Sequence, residues 1–63
     1  MPSNGEIIKD YVIEFSRLQN WMLLAKENND MATYNSMHER YIELKVTLSS
    51  LGVNLTDIDK IKE

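Results

Sequence analysis

The sequence contains no cysteine, one histidine, one proline and two glycines among its 63 residues. Without cysteine there can be no disulfide and no thiolate metal site, and the lone His38 cannot form a histidine cluster. Because helix breakers are so few, long uninterrupted helices are favoured. We therefore predict a helical chain that holds no metal and no cofactor.

Charge of one sign and long apolar runs are also scarce. Ten acidic and seven basic residues give a net charge of −3, whereas nucleic-acid surfaces need clustered basic residues. The longest apolar run, residues 21–25, is far too short to span a bilayer, and residues 1–6 have no signal-peptide character. We expect a cytoplasmic protein with no membrane partner, and the frequent Asn, Lys and Ile are typical of an AT-rich bacterial or phage genome.

The chain is small, yet 43% of it is hydrophobic, which is too much for a disordered chain of this net charge. We expect a single helical domain over residues 1–63. A domain of this size buries little surface and is marginally stable unless a further element helps. With disulfides and metals excluded, self-association or very regular helix packing remains.

Capping and breaking residues divide the chain into helices. Ser3 and Glu6 have the spacing of a capping box that begins the first helix. Asp30, or alternatively Asn29, can cap the second helix after a polar turn, and Gly52 can adopt the left-handed conformation that ends it. The predicted elements are a first helix over about residues 4–26, a turn over 27–30, a second helix over about 31–51 and a short third helix over about 55–62.

Both long helices carry an apolar three-four spacing, which is the pattern of a and d positions in a helical seam. In the first helix the seam residues are Ile8, Tyr11, Phe15, Leu18, Met22 and Ala25. In the second helix they are Tyr34, Met37, Tyr41, Leu44, Leu48 and Leu51. An antiparallel register that pairs Ile8 with Leu51 also pairs Ala25 with Tyr34. Its centre falls in the turn chosen from capping alone, so two independent patterns agree.

The predicted fold is all-α, an antiparallel helical hairpin of two long helices plus a short C-terminal helix. The seam leaves apolar residues uncovered on both flanks of the hairpin. One flank carries Val12, Leu23, Met31, Ile42 and Val46, and the other carries Ile7, Trp21 and Leu24. Ile13 is expected to point away from both. The short helix can cover one flank, and a second copy, closing a four-helix bundle, or another protein can cover the other.

Trp21 is the most informative single residue. Its predicted position is level with Arg40 on the second helix, where the two side chains could form a cation–π contact. Tryptophan and arginine are also enriched at binding hot spots, which favours an interface role. The alternative is that Trp21 packs under the short third helix.

No group of side chains has the spacing of an active site. His38 is predicted beside the seam, near Gln19, where no nucleophile or orienting group converges on it, so we interpret it as a half-exposed structural histidine. There is no phosphate-binding glycine loop and no nucleophile motif. The sequence therefore predicts a protein that is not an enzyme, with no catalytic residue and no small-molecule ligand.

The acidic residues also have structural explanations. Glu6, Asp10 and Glu14 form a row along the first helix, but no Glu-x-x-His motif accompanies them as in di-metal helical bundles. Asp57 and Asp59 are interpreted as acids in the first turn of the short helix, where the helix dipole favours them. They lack the regular oxygen spacing of a calcium loop.

The hairpin pattern over residues of roughly 8–51 is similar in architecture to the Rop family, whose members dimerise as two helical hairpins and bind RNA loops. The resemblance lies in pattern and not in a motif, so no functional residue is carried over. Our first hypothesis is a protein–protein interaction or regulatory module whose partner is a second copy or another protein. The alternative is a structured-RNA-binding hairpin dimer of the Rop type. The candidate partner-binding residues are Trp21, Arg40, Leu24, Ile7, Ile42, Val46 and Leu23.

Overall fold

The computed structural model describes residues 4–63 and contains two long helices followed by a short 3₁₀ turn. Helix α1 spans Asn4–Glu27, helix α2 spans Met31–Ser50, and the 3₁₀ turn spans Leu55–Asp57. The predicted all-α helical hairpin is confirmed. The capping box proposed at Ser3 lies outside the described residues.

The turn between the helices is built from two capping arrangements. Asn29 has a φ of 58°, and the Asp30 amide donates to the Ala25 carbonyl at 2.8 Å, so α1 ends in a Schellman motif. The Asp30 carboxylate then accepts hydrogen bonds from the Thr33 amide at 3.1 Å and the Thr33 hydroxyl at 2.6 Å. Of the two candidate caps for α2, Asp30 is therefore the residue that caps the helix.

Helix α2 ends in the same way. The Val53 amide donates to the Leu48 carbonyl at 3.0 Å, and the Gly52 amide donates to the Ser49 carbonyl at 3.1 Å. Gly52 has a φ of 85°, a conformation that residues with a Cβ rarely adopt. The glycine is therefore placed where the sequence predicted the end of the helix.

The buried core lies along the predicted seam. Its residues are Phe15, Leu18, Met22, Ala25, Tyr34, Tyr41, Leu44 and Leu48. The Phe15 and Tyr41 rings stack with centroids 5.4 Å apart. Seam residues near the open end are less enclosed, since Ile8 is half-buried and Leu51 is exposed. The core is thus centred in the half of the hairpin nearer the turn.

The chain beyond α2, residues 53–63, is called the third segment. Its apolar side chains Val53, Leu55, Ile58 and Ile61 pack against the core. The predicted helix over about 55–62 is wrong, because only Leu55–Asp57 form a 3₁₀ turn. The amides of Lys60 and Ile61 donate to the side chain of Gln19 and not to carbonyls of their own segment. Tertiary hydrogen bonds have replaced the helical ones.

The molecule is an elongated two-helix layer with the third segment against one side. Its principal dimensions are 40 × 22 × 15 Å. Over the described residues, neither helix combines the length and apolarity needed to cross a bilayer. The third segment covers one flank of the hairpin. Both flanks are candidate functional surfaces.

Candidate functional site

The covered flank is organised around Gln19, a fully buried polar residue of α1. Its side-chain oxygen accepts from the amides of Lys60 at 2.6 Å and Ile61 at 3.1 Å. Its side-chain nitrogen donates to the carbonyl of Ile58 at 2.9 Å and to that of Phe15 at 3.4 Å. A buried amide side chain costs free energy unless its hydrogen-bonding groups have partners. Here the bonds to Lys60, Ile61 and Ile58 fix the third segment, and only the bond to Phe15 lies within α1.

A second set of polar contacts joins α2 to the third segment. The Tyr41 hydroxyl donates to the Asp59 carboxylate at 2.5 Å and accepts from the Glu63 amide at 3.2 Å. The Lys45 ammonium lies 3.0 Å from the Asp59 carboxylate and 5.1 Å from the centre of the Tyr41 ring. The carboxylate also accepts from the Lys62 amide at 2.8 Å. Asp59 is therefore a buried anion with three donors.

Glu63 adds a more exposed set of contacts on the same flank. Its carboxylate accepts from the Tyr34 hydroxyl at 2.9 Å and lies 3.1 Å from Nε2 of His38. Its backbone carbonyl accepts from the Lys45 ammonium at 2.6 Å. The His38 ring is half-exposed and stacks beside Tyr34. Its contacts suit the structural role that the sequence indicated.

These contacts shift the ionisation of the groups involved. Burial alone would raise the pKa of Asp59, but hydrogen bonds from Tyr41, the Lys62 amide and Lys45 outweigh burial and lower it. The hydrogen bond to Asp59 raises the pKa of Lys45. Burial, followed by the bond to Asp59, raises the pKa of Tyr41. At neutral pH the flank therefore holds an ion pair beside a neutral phenol.

Within residues 4–63, no segment covers the opposite flank. Trp21 lies two residues after Gln19, about 200° further round α1, and its side chain is 57% exposed. Leu24, one turn later, is 55% exposed. Both line a groove of about 240 Å³ that also contacts Ala25 and Met37. This surface around Trp21 and Leu24 is called the open flank. The alternative that Trp21 packs under the third segment is wrong.

A second groove extends the open flank toward the start of α1. It has a volume of about 280 Å³ and is lined by Ile13, Leu18, Trp21 and polar residues that include Asp10 and Arg17. The expectation that Ile13 points away from both flanks is therefore wrong. Helical side chains lean toward the N-terminus, so the long Trp21 indole shares a groove with residues of the preceding turns.

On this side of the hairpin, Arg40 of α2 contacts α1 through a residue that the sequence did not predict as its partner. Its guanidinium donates to both carboxylate oxygens of Glu14, at 2.7 and 3.0 Å, and to Glu43 at 3.1 Å. The hydrogen bond from Arg40 lowers the pKa of Glu14. The arginine suggested as a cation–π partner of Trp21 thus bridges the two helices through a carboxylate.

The other apolar candidate partner-binding residues are divided between this side of the hairpin and the rest of the surface. Ile7 is half-buried two turns before Glu14, on the same stripe of α1 as Trp21. Leu23, Ile42 and Val46 are exposed, at 45%, 40% and 63%. Leu23 lies about 200° from Trp21 round α1, on the side of the helix that faces away from the open flank. The structure therefore places Ile7 on the same side of α1 as Trp21 and Leu24 and leaves Leu23, Ile42 and Val46 exposed elsewhere.

Sequence reasoning missed the polar contacts of the covered flank. Asp59 was interpreted as a first-turn acid of a helix, but it lies beyond the 3₁₀ turn and is buried against Tyr41. Gln19 was considered only as a neighbour of His38. The one available indication was a polar residue beside the seam with the apolar Val12 one heptad before it, and that pattern is also common on solvated helix faces.

Within residues 4–63, no three His, Cys, Asp or Glu side chains are arranged to hold a metal ion, and no buried side-chain nitrogen or oxygen lacks a partner. Comparison with known proteins gives no matching family model, no matching curated protein and no matching solved structure. Function has to be argued from the two flanks alone.

Proposed function

We propose that this protein is a small non-enzymatic interaction module that self-associates through the open flank. The observation that carries the proposal is the exposure of Trp21, together with Leu24, between two shallow grooves. Adjacent exposed apolar side chains on a small protein favour association, because each removes apolar surface from water when it is covered.

The surroundings of these residues also suit an interface. Interfaces combine an apolar centre, often aromatic, with a polar rim. On the open flank the rim is supplied by Asp10 and Arg17 on one side of the indole and by Asn28 and Thr33 on the other. A rim that carries both signs of charge is complementary to a second copy of itself, since a two-fold axis brings each side chain opposite other parts of the same patch.

RNA binding of the Rop type gains no support from Arg40 and Lys45, two of the seven basic residues. Arg40 is engaged by Glu14 and Glu43, and Lys45 is engaged by Asp59. Both cations are thus neutralised by neighbouring carboxylates, which weakens any phosphate-binding patch. Self-association is therefore the function that we put forward.

The test is the absolute mass of the protein by size-exclusion chromatography with light scattering, over about a hundredfold range of concentration. The proposal expects a mass near twice the 7.4 kDa of one chain at the upper end. Trp21→Ala is expected to shift the protein to monomer, because an interface aromatic commonly contributes about 2 kcal/mol or more.

Val46→Ala is the matched control, since Val46 is equally exposed but lies on α2 away from the open flank. It is expected to leave the mass unchanged. A monomeric wild-type chain at every concentration, or equal effects of the two substitutions, would contradict the proposal.

A further inference from the structure

The third segment is held by the hairpin in the way that a receptor holds a bound peptide. Its backbone is recognised by side chains of the two helices. Gln19 binds the amides of Lys60 and Ile61 and the carbonyl of Ile58. Tyr41 accepts from the amide of Glu63. Backbone recognition of this kind fixes the path of a peptide without demanding particular side chains at those positions.

Selectivity comes from a smaller number of side chains in the segment. Leu55, Ile58 and Ile61 pack against the core, and Asp59 is the buried anion between Tyr41 and Lys45. Together they define a pattern of three apolar residues with one carboxylate directly after the second. A buried carboxylate that meets two donors from α2, Tyr41 and Lys45, discriminates strongly, because a neutral substitute loses charge-assisted hydrogen bonds.

The recognising groups all belong to the two long helices. Gln19 lies on α1, while Tyr41 and Lys45 lie on α2, where the seam fixes the phenol ring through its stack on Phe15. The groove between these residues is therefore built by the hairpin and not by the segment that fills it. This groove is called the Gln19–Tyr41 groove.

The connection between α2 and the segment is short, and the Val53 amide fixes its end to the Leu48 carbonyl of α2. Gly52 is exposed with a φ of 85°, and within residues 4–63 no atom beyond its two chain neighbours lies within 4 Å of the position that a Cβ would take there. Asn54 is exposed and caps the 3₁₀ turn through the Thr56 amide. The hydrogen bonds in the groove depend on the segment itself and not on which chain carries it. Exchange of an identical element between copies is a low-cost route to a dimer.

We propose that the Gln19–Tyr41 groove is a peptide-recognition site that accepts residues 53–63 of a second copy as well as its own. The intramolecular segment occupies the groove because a short tether gives it an effective concentration of the order of millimolar. A copy supplied in trans competes when it approaches that concentration or when the tethered segment is weakened. This inference concerns the covered flank and does not depend on self-association through the open flank.

The test supplies the segment as a synthetic peptide of residues 53–63 with a fluorophore at its N-terminus. The receptor is the full chain carrying Asp59→Asn, which weakens its own segment and leaves the helices intact. Fluorescence anisotropy is expected to show saturable binding of the peptide. The same peptide carrying Asp59→Asn is expected to bind about tenfold more weakly, because it lacks the charge-assisted bonds to Tyr41 and Lys45.

A receptor that also carries Gln19→Leu is the matched control, and it is expected to lose most of the binding. Circular dichroism establishes that each receptor keeps its helices. If the folded Asp59→Asn chain binds neither peptide, or binds both equally, the proposal is overturned. Binding that survives Gln19→Leu would place the peptide elsewhere on the molecule and would also overturn it.

A second measurement on the wild-type chain covers the case in which the Asp59→Asn receptor does not fold. The chain has no cysteine, so a peptide with one added N-terminal cysteine can carry a nitroxide without labelling the protein. At millimolar peptide the nitroxide is expected to broaden the Gln19 side-chain amide resonances, whereas a scrambled peptide is not. No broadening, or equal broadening by both, would refute exchange in trans. Trp21→Ala leaves this result unchanged, which separates it from the test of the open flank.

Discussion

The covered and open flanks border the same seam but differ in the forces that act on them. On the covered flank a buried amide and a buried carboxylate hold an irregular segment in place. On the open flank an exposed indole and an exposed leucine are covered by no segment of the described chain, residues 4–63. The side with the buried polar groups is thus the side that is closed. Apolar surface stabilises any contact, whereas buried polar groups need partners in fixed positions, so they select one segment in one path.

The covered flank depends most on the side chain of Gln19. Gln19→Ala leaves the amides of Lys60 and Ile61 and the carbonyl of Ile58 without their partner, and buried unsatisfied groups are costly. We expect a loss of about 3 kcal/mol in the free energy of unfolding, measured by urea denaturation. Asn20→Ala, at the exposed next position of α1, should change it by less than about 0.5 kcal/mol. Similar losses for the two variants would show that the covered flank is not held by its polar groups.

The phenol of Tyr41 offers a smaller and cleaner change. Tyr41→Phe keeps the stack on Phe15 and removes only the hydroxyl between Asp59 and Glu63. Because the acceptor is a buried charge, we expect a loss of about 2 kcal/mol.

Tyr34→Phe is the matched control for the phenol. It removes a hydroxyl that binds only the half-exposed carboxylate of Glu63, so the loss should stay below about 1 kcal/mol. Amide hydrogen exchange at residues 58–62 should quicken in Tyr41→Phe more than in Tyr34→Phe. The reverse order would mean that Glu63, and not Asp59, anchors the segment.

Acid should loosen the covered flank less than Tyr41→Phe does, since a protonated Asp59 can still share a hydrogen bond. The folded pKa of Asp59 lies below its ordinary value of 3.8, so its contribution is fully present above pH 3.8 and is lost as the pH falls through the folded pKa. Glu14 and Asp30 also have lowered pKa values and add their own acid dependence. The informative quantity is therefore the difference between wild type and Asp59→Asn, which should shrink below pH 4. If this difference does not change with pH, the charge of Asp59 does not stabilise the covered flank.

The differences between the two flanks also explain which features could be predicted from the sequence. The seam and the caps at Asp30 and Gly52 follow local rules, in which periodicity and a residue's own backbone preference decide the outcome. The docking of Asp59 on Tyr41 depends on partners far apart in the chain and on a helix that does not form. Gln19 looks like an ordinary polar residue beside a seam. On the open flank, Trp21 could be singled out by residue type, but which flank the third segment covers could not.

Deleting one apolar side chain from each flank tests whether each flank is buried within one chain or between copies. Ile58→Ala removes atoms packed against the core under the third segment and should lower the free energy of unfolding by about 1–2 kcal/mol, less than for a fully buried site. Leu24→Ala removes a side chain that is already 55% exposed, so at low concentration the loss should stay within about 0.5 kcal/mol.

The Leu24 effect should grow with protein concentration if the open flank is buried between copies, because association then adds to the stability of the folded chain. The Ile58 effect should not grow at micromolar concentration, since the tethered segment of the same chain fills the groove there. Urea titrations at two protein concentrations measure both. A concentration-independent loss at Leu24 would mean that this leucine faces solvent in every state of the protein, and the open flank would then be no interface at all.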